Sequence, residues 1–138
     1  MADRNAVIVD TNILFSALLK EDSRFAREII RSERTFYIGE STLVELFKHK
    51  EKLVRQSKLS DEDVIRLLYT LMQQMVIIKE GLIDPALRRR AITLCQDIDI
   101  AVAPQVALTL HMDGLLWTGD ETLKRGLRAK GFAAFFEP

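Results

Sequence analysis

An α/β fold on a parallel or mostly parallel sheet is implied by three features of this 138-residue sequence. Short apolar or β-branched runs alternate with stretches long enough for helices, the pattern of repeated β–α units. The first run is apolar at every position instead of alternating, as in strands covered on both faces. Three prolines and six glycines are the only strong breakers, and they sit where elements should end. Helix dominates the expected content.

Ala6–Val9, four apolar residues before Asp10, reads as the first strand. A helix is expected over about residues 11–20 and another from Ser23 to about Glu33, where Phe25, Ile29 and Ile30 share a face. Thr35–Ile38 is aromatic and β-branched and ends at Gly39, which makes it the second strand. No breaker occurs from Ser41 to about Lys58, so one long helix is expected. Ser60, with Asp63 three residues on, opens a further helix to about Gln74 as in a capping box. Val76–Ile78 is the third strand. Asp84 and Pro85 supply an N-cap and a first-turn proline for a helix to about Gln96. Pro104 opens a short helix over Gln105 to Met112, closed by Gly114. Leu115–Thr118 is the fourth strand. A basic helix from Glu121 to Lys130 ends at Gly131, a residue suited to a left-handed C-cap. Phe132–Phe136 is a candidate fifth strand.

Length predicts a single domain over residues 1–138, and 48% hydrophobic with 29% charged residues is an ordinary globular composition. The lone cysteine, Cys95, has no intramolecular partner, which favours a reducing, cytoplasmic setting. The four apolar residues before Asp10 are too few for a signal peptide. No apolar stretch approaches the roughly 18 residues of a membrane span. Twenty basic residues balance twenty acidic ones, and a zero net charge taken alone argues against nucleic acid.

Ligands of open α/β sheets collect at the carboxyl ends of the strands. Asp10 follows the first strand and Asp120 the fourth; each also precedes a helix, so N-capping is an alternative role. Glu45 is the one polar residue in Leu43-Val44-Glu45-Leu46-Phe47. Either that turn is buried and Glu45 faces a cleft or a cation, or it lies on an exposed stripe paired at i+4 with His49. Asp97 and Asp99 form a third acidic spot, which also fits a solvated turn. Acids gathered at one edge need a cation, and all-oxygen ligation favours Mg²⁺ or Mn²⁺. His49, His111 and Cys95 have no zinc-ligand spacing.

These residues carry a resemblance to the PIN-domain family of metal-dependent ribonucleases, which includes the toxins of toxin–antitoxin pairs. Val7-Ile8-Val9-Asp10-Thr11-Asn12 resembles its first motif, Glu45 its second acidic position, and Thr118-Gly119-Asp120 its late motif. The resemblance implies a PIN-like three-layer α/β/α domain with a short, mainly parallel sheet of four to five strands. It implies that Asp10, Glu45 and Asp120 hold Mg²⁺ or Mn²⁺ for RNA hydrolysis, with Thr11, Asn12 and Thr118 orienting the acids. Partners implied are RNA, an antitoxin protein and a second copy in a homodimer. One departure stands out: the family's third aspartate falls at Val102, which cannot ligate a cation. Either the site is impaired there, or Asp99 or Asp97 substitutes, or the fold no longer cuts RNA.

For the substrate, Lys48, Lys50, Lys52, Arg55 and Lys58 form a basic run just beyond Glu45, with Arg88–Arg90 and Lys124, Arg125, Arg128 and Lys130 as further candidates. A solvated helix face is the alternative for any such run. Leu67, Leu68, Leu71, Met72 and Met75 suit core packing or a partner face. Two rivals remain: a silent PIN-fold binding module, and a receiver-type phosphate domain, which lacks the strand-end acid it needs before Lys79. If a cation neutralises the three acids, the rest of the chain is basic, and zero net charge no longer excludes RNA.

Overall fold

The structure is a computed structural model and describes residues 5–19 and 23–138. Four parallel strands form the sheet: β1 (Ala6–Val9), β2 (Thr35–Gly39), β3 (Met75–Ile78) and β4 (Leu115–Trp117), in the order β3-β2-β1-β4. The chain steps outward from β1 to β2 to β3, then returns to add β4 on the other side of β1. This reversal opens a crevice at the carboxyl ends of β1 and β4.

Helices cover both faces. On one lie α1 (Thr11–Leu18), α2 (Arg24–Arg31), α3 (Glu40–Lys48), α4 (Lys50–Gln56) and α5 (Asp61–Gln73). Their Leu14, Leu18, Ile29, Leu46, Leu53 and Leu71 pack on Val7 and Val9. On the other lie α6 (Pro85–Cys95), α7 (Ala103–Met112) and α8 (Glu121–Ala129), whose Leu94, Val106, Leu108 and Leu127 pack around Ile8. Strand β1 therefore feeds both cores by the period-2 alternation of its side chains, and no residue in it is exposed. The Leu71 and Met75 stripe is core, with Leu67, Leu68 and Met72 packed against it.

The caps expected from sequence form, although Ser60 and Asp63 make only the first half of a capping box, since the Asp63 carboxylate turns to Arg66. Ser60 Oγ accepts from the Asp63 N–H, Asp84 Oδ1 accepts from the Ala86 N–H, and Gly131 takes φ 89° after α8. Four expectations need correcting. The long helix from Ser41 breaks at His49 (φ −109°, ψ 14°) into α3 and α4. Phe47, Lys48, His49 and Lys50 are all exposed there, so no packing holds the turn straight. Phe132–Phe136 is no fifth strand: it makes a single parallel bridge, Leu116 to Phe135, because the three-residue β4 offers no longer edge. Asp113, not Gly114, takes the left-handed position after α7 (φ 49°). Gly114 serves close approach instead, since a Cβ there would lie 2.6 Å from the Ala6 carbonyl oxygen. Ile30 is exposed while Ala26 and Ile29 are buried. The expected end of the first helix at Lys20 lies outside the described residues.

Candidate active site

Asp10 enters the crevice because the parallel register pairs Val9 with Trp117, and the Asp10 N–H donates to the Trp117 carbonyl at 3.0 Å. Its side chain does not cap α1. Instead Asp10 Oδ2 accepts from Thr118 Oγ1 at 2.9 Å, across 108 residues of sequence. Asp10 is only 7% exposed. Burial pushes its carboxyl above the usual range, against the hydrogen bond from Thr118 and the nearby N–H groups of Thr11 and Asn12, and the Asp120 carboxylate adds to the rise. A buried acid beside a second acid, with no basic side chain paired to it among the described residues, is the environment a cation relieves.

Asp120 does cap α8: Oδ1 accepts from the Leu123 N–H at 3.0 Å, while its own N–H donates to Thr118 Oγ1. Thr118 thus links the two acids. Asp99 Oδ1 accepts from the Ala101 N–H at the head of a 3₁₀ turn, Ile100–Val102. Asp10, Asp120, Asp99 and Glu45 all line one cleft of about 820 Å³. Glu45 is not in a buried turn, however. Val44 and Phe47 are each 61% exposed, and Glu45 Oε2 pairs with His49 Nε2 at 3.2 Å. Asp97 does not reach the cleft; its carboxylate is bonded to Lys130 Nζ, which holds it below the usual range. Among the described residues, no three His, Cys, Asp or Glu side chains stand close enough to hold one ion together.

Val102 lines the same cleft and is buried. One turn along α7, Gln105 donates through Nε2 to Thr11 Oγ1 (3.2 Å) and Thr42 Oγ1 (3.5 Å), and Thr11 Oγ1 donates to Thr42 Oγ1 at 3.3 Å. These bonds tie α7 to α1 and α3 through Thr11, the residue that follows Asp10. Gln105 Oε1 is buried with no partner among the described residues, and turning the amide over would merely move the deficit to its NH₂. Sequence reasoning missed Gln105, although it is a polar residue set among Val102, Ala103, Val106, Ala107 and Leu108. Asn12 and Thr11 line the cleft as expected.

Of the basic run, Lys52 lines the cleft, while Lys48, Lys50, Arg55 and Lys58 are exposed but outside its wall. Lys124 is not a surface cation: it is 4% exposed and paired with Glu121 and Glu137. Arg128 and Lys130 are likewise paired, with Glu137 and Asp97. No helix among the described residues is long and apolar enough to cross a membrane.

A family model for the PIN domain matches residues 8–133, from within β1 to beyond α8. No curated protein matches the chain. The family's members are typically nucleases, in keeping with acids gathered at the carboxyl edge of a parallel sheet. The chain belongs to the PIN-domain family.

Proposed function

We propose that this protein is a Mg²⁺- or Mn²⁺-dependent endoribonuclease. The observation that carries the reading is the meeting of Asp10, Asp120, Asp99 and Glu45, from segments far apart in sequence, on one cleft. The donor set fits a hard divalent cation. It is all oxygen, one member is buried beside a second acid, and Mg²⁺ is commonly held by one or two carboxylates with water and substrate phosphate completing the shell.

Asp10 and Asp120 would hold the ion, with Glu45 and Asp99 contributing through water. Bound there, the ion supplies an activated water and offsets phosphoryl charge. Thr118 fixes Asp10 Oδ2, Thr11 is held by Gln105 and Thr42, and Asn12 stands at the cleft wall. Lys52 attracts the RNA backbone.

The test is cleavage of single-stranded RNA with Mn²⁺, Mg²⁺ or EDTA. Cleavage should appear with metal, vanish in EDTA, and fall at least 100-fold in Asp10→Asn and Asp120→Asn. No cleavage by the unaltered chain under either metal would sink the reading. A silent RNA- or protein-binding module is the second reading, favoured by valine at position 102 and by the Glu45–His49 pair; it predicts RNA binding indifferent to Asp10. As a toxin, the protein would have an antitoxin encoded in the adjoining reading frame. A homodimer is checked by light scattering.

A further inference from the structure

The cleft extends past the acids. Beyond Asn12 and the Glu45–His49 pair it continues as a groove between α1 and α4. From α1 and its C-cap, Asn12, Phe15, Ser16 and Leu19 line the cleft; from α4 and its N-cap, His49, Lys52, Leu53 and Gln56 do. Each set has the spacing i, i+3, i+4, i+7, so each helix turns one continuous stripe toward the other. The far end is closed. Lys58 N–H donates to the Leu19 carbonyl at 2.8 Å, and Ser57 Oγ donates to the carbonyls of Leu18 and Leu19.

The groove mixes surfaces in a particular way. Leu53 is buried and Leu19 half-buried, giving an apolar floor. Phe15 and His49 stand edge to face with ring centroids 6.2 Å apart, so the groove carries two aromatic groups. Ser16 and Gln56 offer hydroxyl and amide groups that can both donate and accept. Lys52 brings positive charge into the cleft, and Lys48, Lys50, Arg55 and Lys58 extend it along the exposed side of the same segment. Apolar floor, aromatic wall, edge-reading polar groups and a basic rim together match an unpaired nucleotide, which stacks on rings and has its base edge hydrogen-bonded.

We propose that the α1–α4 groove is a base-binding subsite that seats one unpaired nucleobase beside the scissile phosphate of single-stranded RNA. The inference rests on single-stranded RNA being the substrate, and it adds the subsite that reads one of its bases. Phe15 is the stacking surface, Lys52 the phosphate contact, and the groove's closed end limits it to a short stretch of chain.

The test is binding, in EDTA, of a fluorescein-labelled single-stranded RNA heptamer and of the same heptamer with an abasic nucleotide moved through each position. One abasic position should weaken binding by roughly 5- to 150-fold. Phe15→Leu, which keeps an apolar side chain, should cost a similar factor, and the two losses should not add. Lys52→Ala, an exposed change, should weaken every heptamer alike, and thermal melts verify that both variants fold. Duplex RNA should bind more weakly than the single strand. The proposal is overturned by equal binding of duplex, by no position-specific abasic loss, or by a loss that Phe15→Leu leaves untouched. It is also overturned if Phe15→Leu disrupts self-association in light scattering while RNA binding is intact, which would give the groove to a second copy. Metal-dependent cleavage with no base-dependent binding would remove the subsite and leave the nuclease; base-dependent binding without cleavage would do the reverse.

Discussion

Asp10 is held in an environment that opposes its own charge. Its folded-state pKa lies above the ordinary 3.8, first through burial. The sign of the linkage follows: the contribution to stability is fully present below the unfolded pKa and is lost as pH rises through the folded one. Asp10→Asn removes that loss. In metal-free buffer the variant should therefore gain stability relative to the unaltered chain as pH rises from about 3.8 toward neutrality, read as a widening gap between thermal midpoints. Mn²⁺ should narrow the gap by favouring the ionised carboxylate. A gap constant with pH would mean that Asp10 is not strained by its charge. Val102 poses the converse question. Val102→Asp places a carboxyl at a buried position and should cost about 1–3 kcal/mol without metal. If the position belongs to the metal centre, Mn²⁺ recovers that loss, and a metal-insensitive melt separates it from the centre.

Helix α3, which carries Glu45, is anchored from outside itself. Its N-cap is Gly39, which has no side chain to cap with. Glu80, after β3, fills the role: Oε1 accepts from the Ser41 N–H and Oε2 from Ser41 Oγ at 2.9 Å. A Cβ on Gly39 would stand 2.7 Å from Glu80 Cδ, so the glycine makes room for the borrowed cap. Glu80→Ala should cost about 1–2 kcal/mol. Gly39→Ala should expel the same carboxylate, so the double variant should lose less than the two single losses combined, as measured in a denaturant double-mutant cycle. Additive losses would show that the glycine and the cap act separately. Nothing in the local sequence announces this cap, because its two halves lie 39 residues apart. The same limit explains which elements were legible. Ser60, Asp84 and Gly131 act on their own helices and were readable. The break at His49 and the loss of a fifth strand depend on what packs against them, which no window of sequence contains.

For the molecule as a whole, equal numbers of acidic and basic residues conceal a division. Acids meet in the cleft, and exposed cations run along the α3–α4 segment beside it. Single-strand binding should release few counterions: a log–log plot of affinity against salt should have a slope of about −1 to −3, and Lys52→Ala should reduce it by about 0.7. A steeper slope would require cations beyond this segment. The strand-end acids were legible because a parallel sheet sends every strand's carboxyl end to one edge. Glu45 was legible in part: its pairing at i+4 with His49 forms as one of its two readings had it, while exposure of Val44 and Phe47 removes the buried turn of the other. The Gln105–Thr11–Thr42 cluster was hidden, as it joins three elements that meet only in the fold.

Strand β4 is the last of the described strands, yet it lies against the first. Its arrival brings Thr118 to Asp10 and sets Asp120 at the cleft. During synthesis β1 emerges first and finds β2 early on one edge, but its other edge waits for a partner more than a hundred residues later. The pairing that completes the site cannot form until residues 115–120 have left the ribosome. Until then a growing chain lacks an assembled cleft.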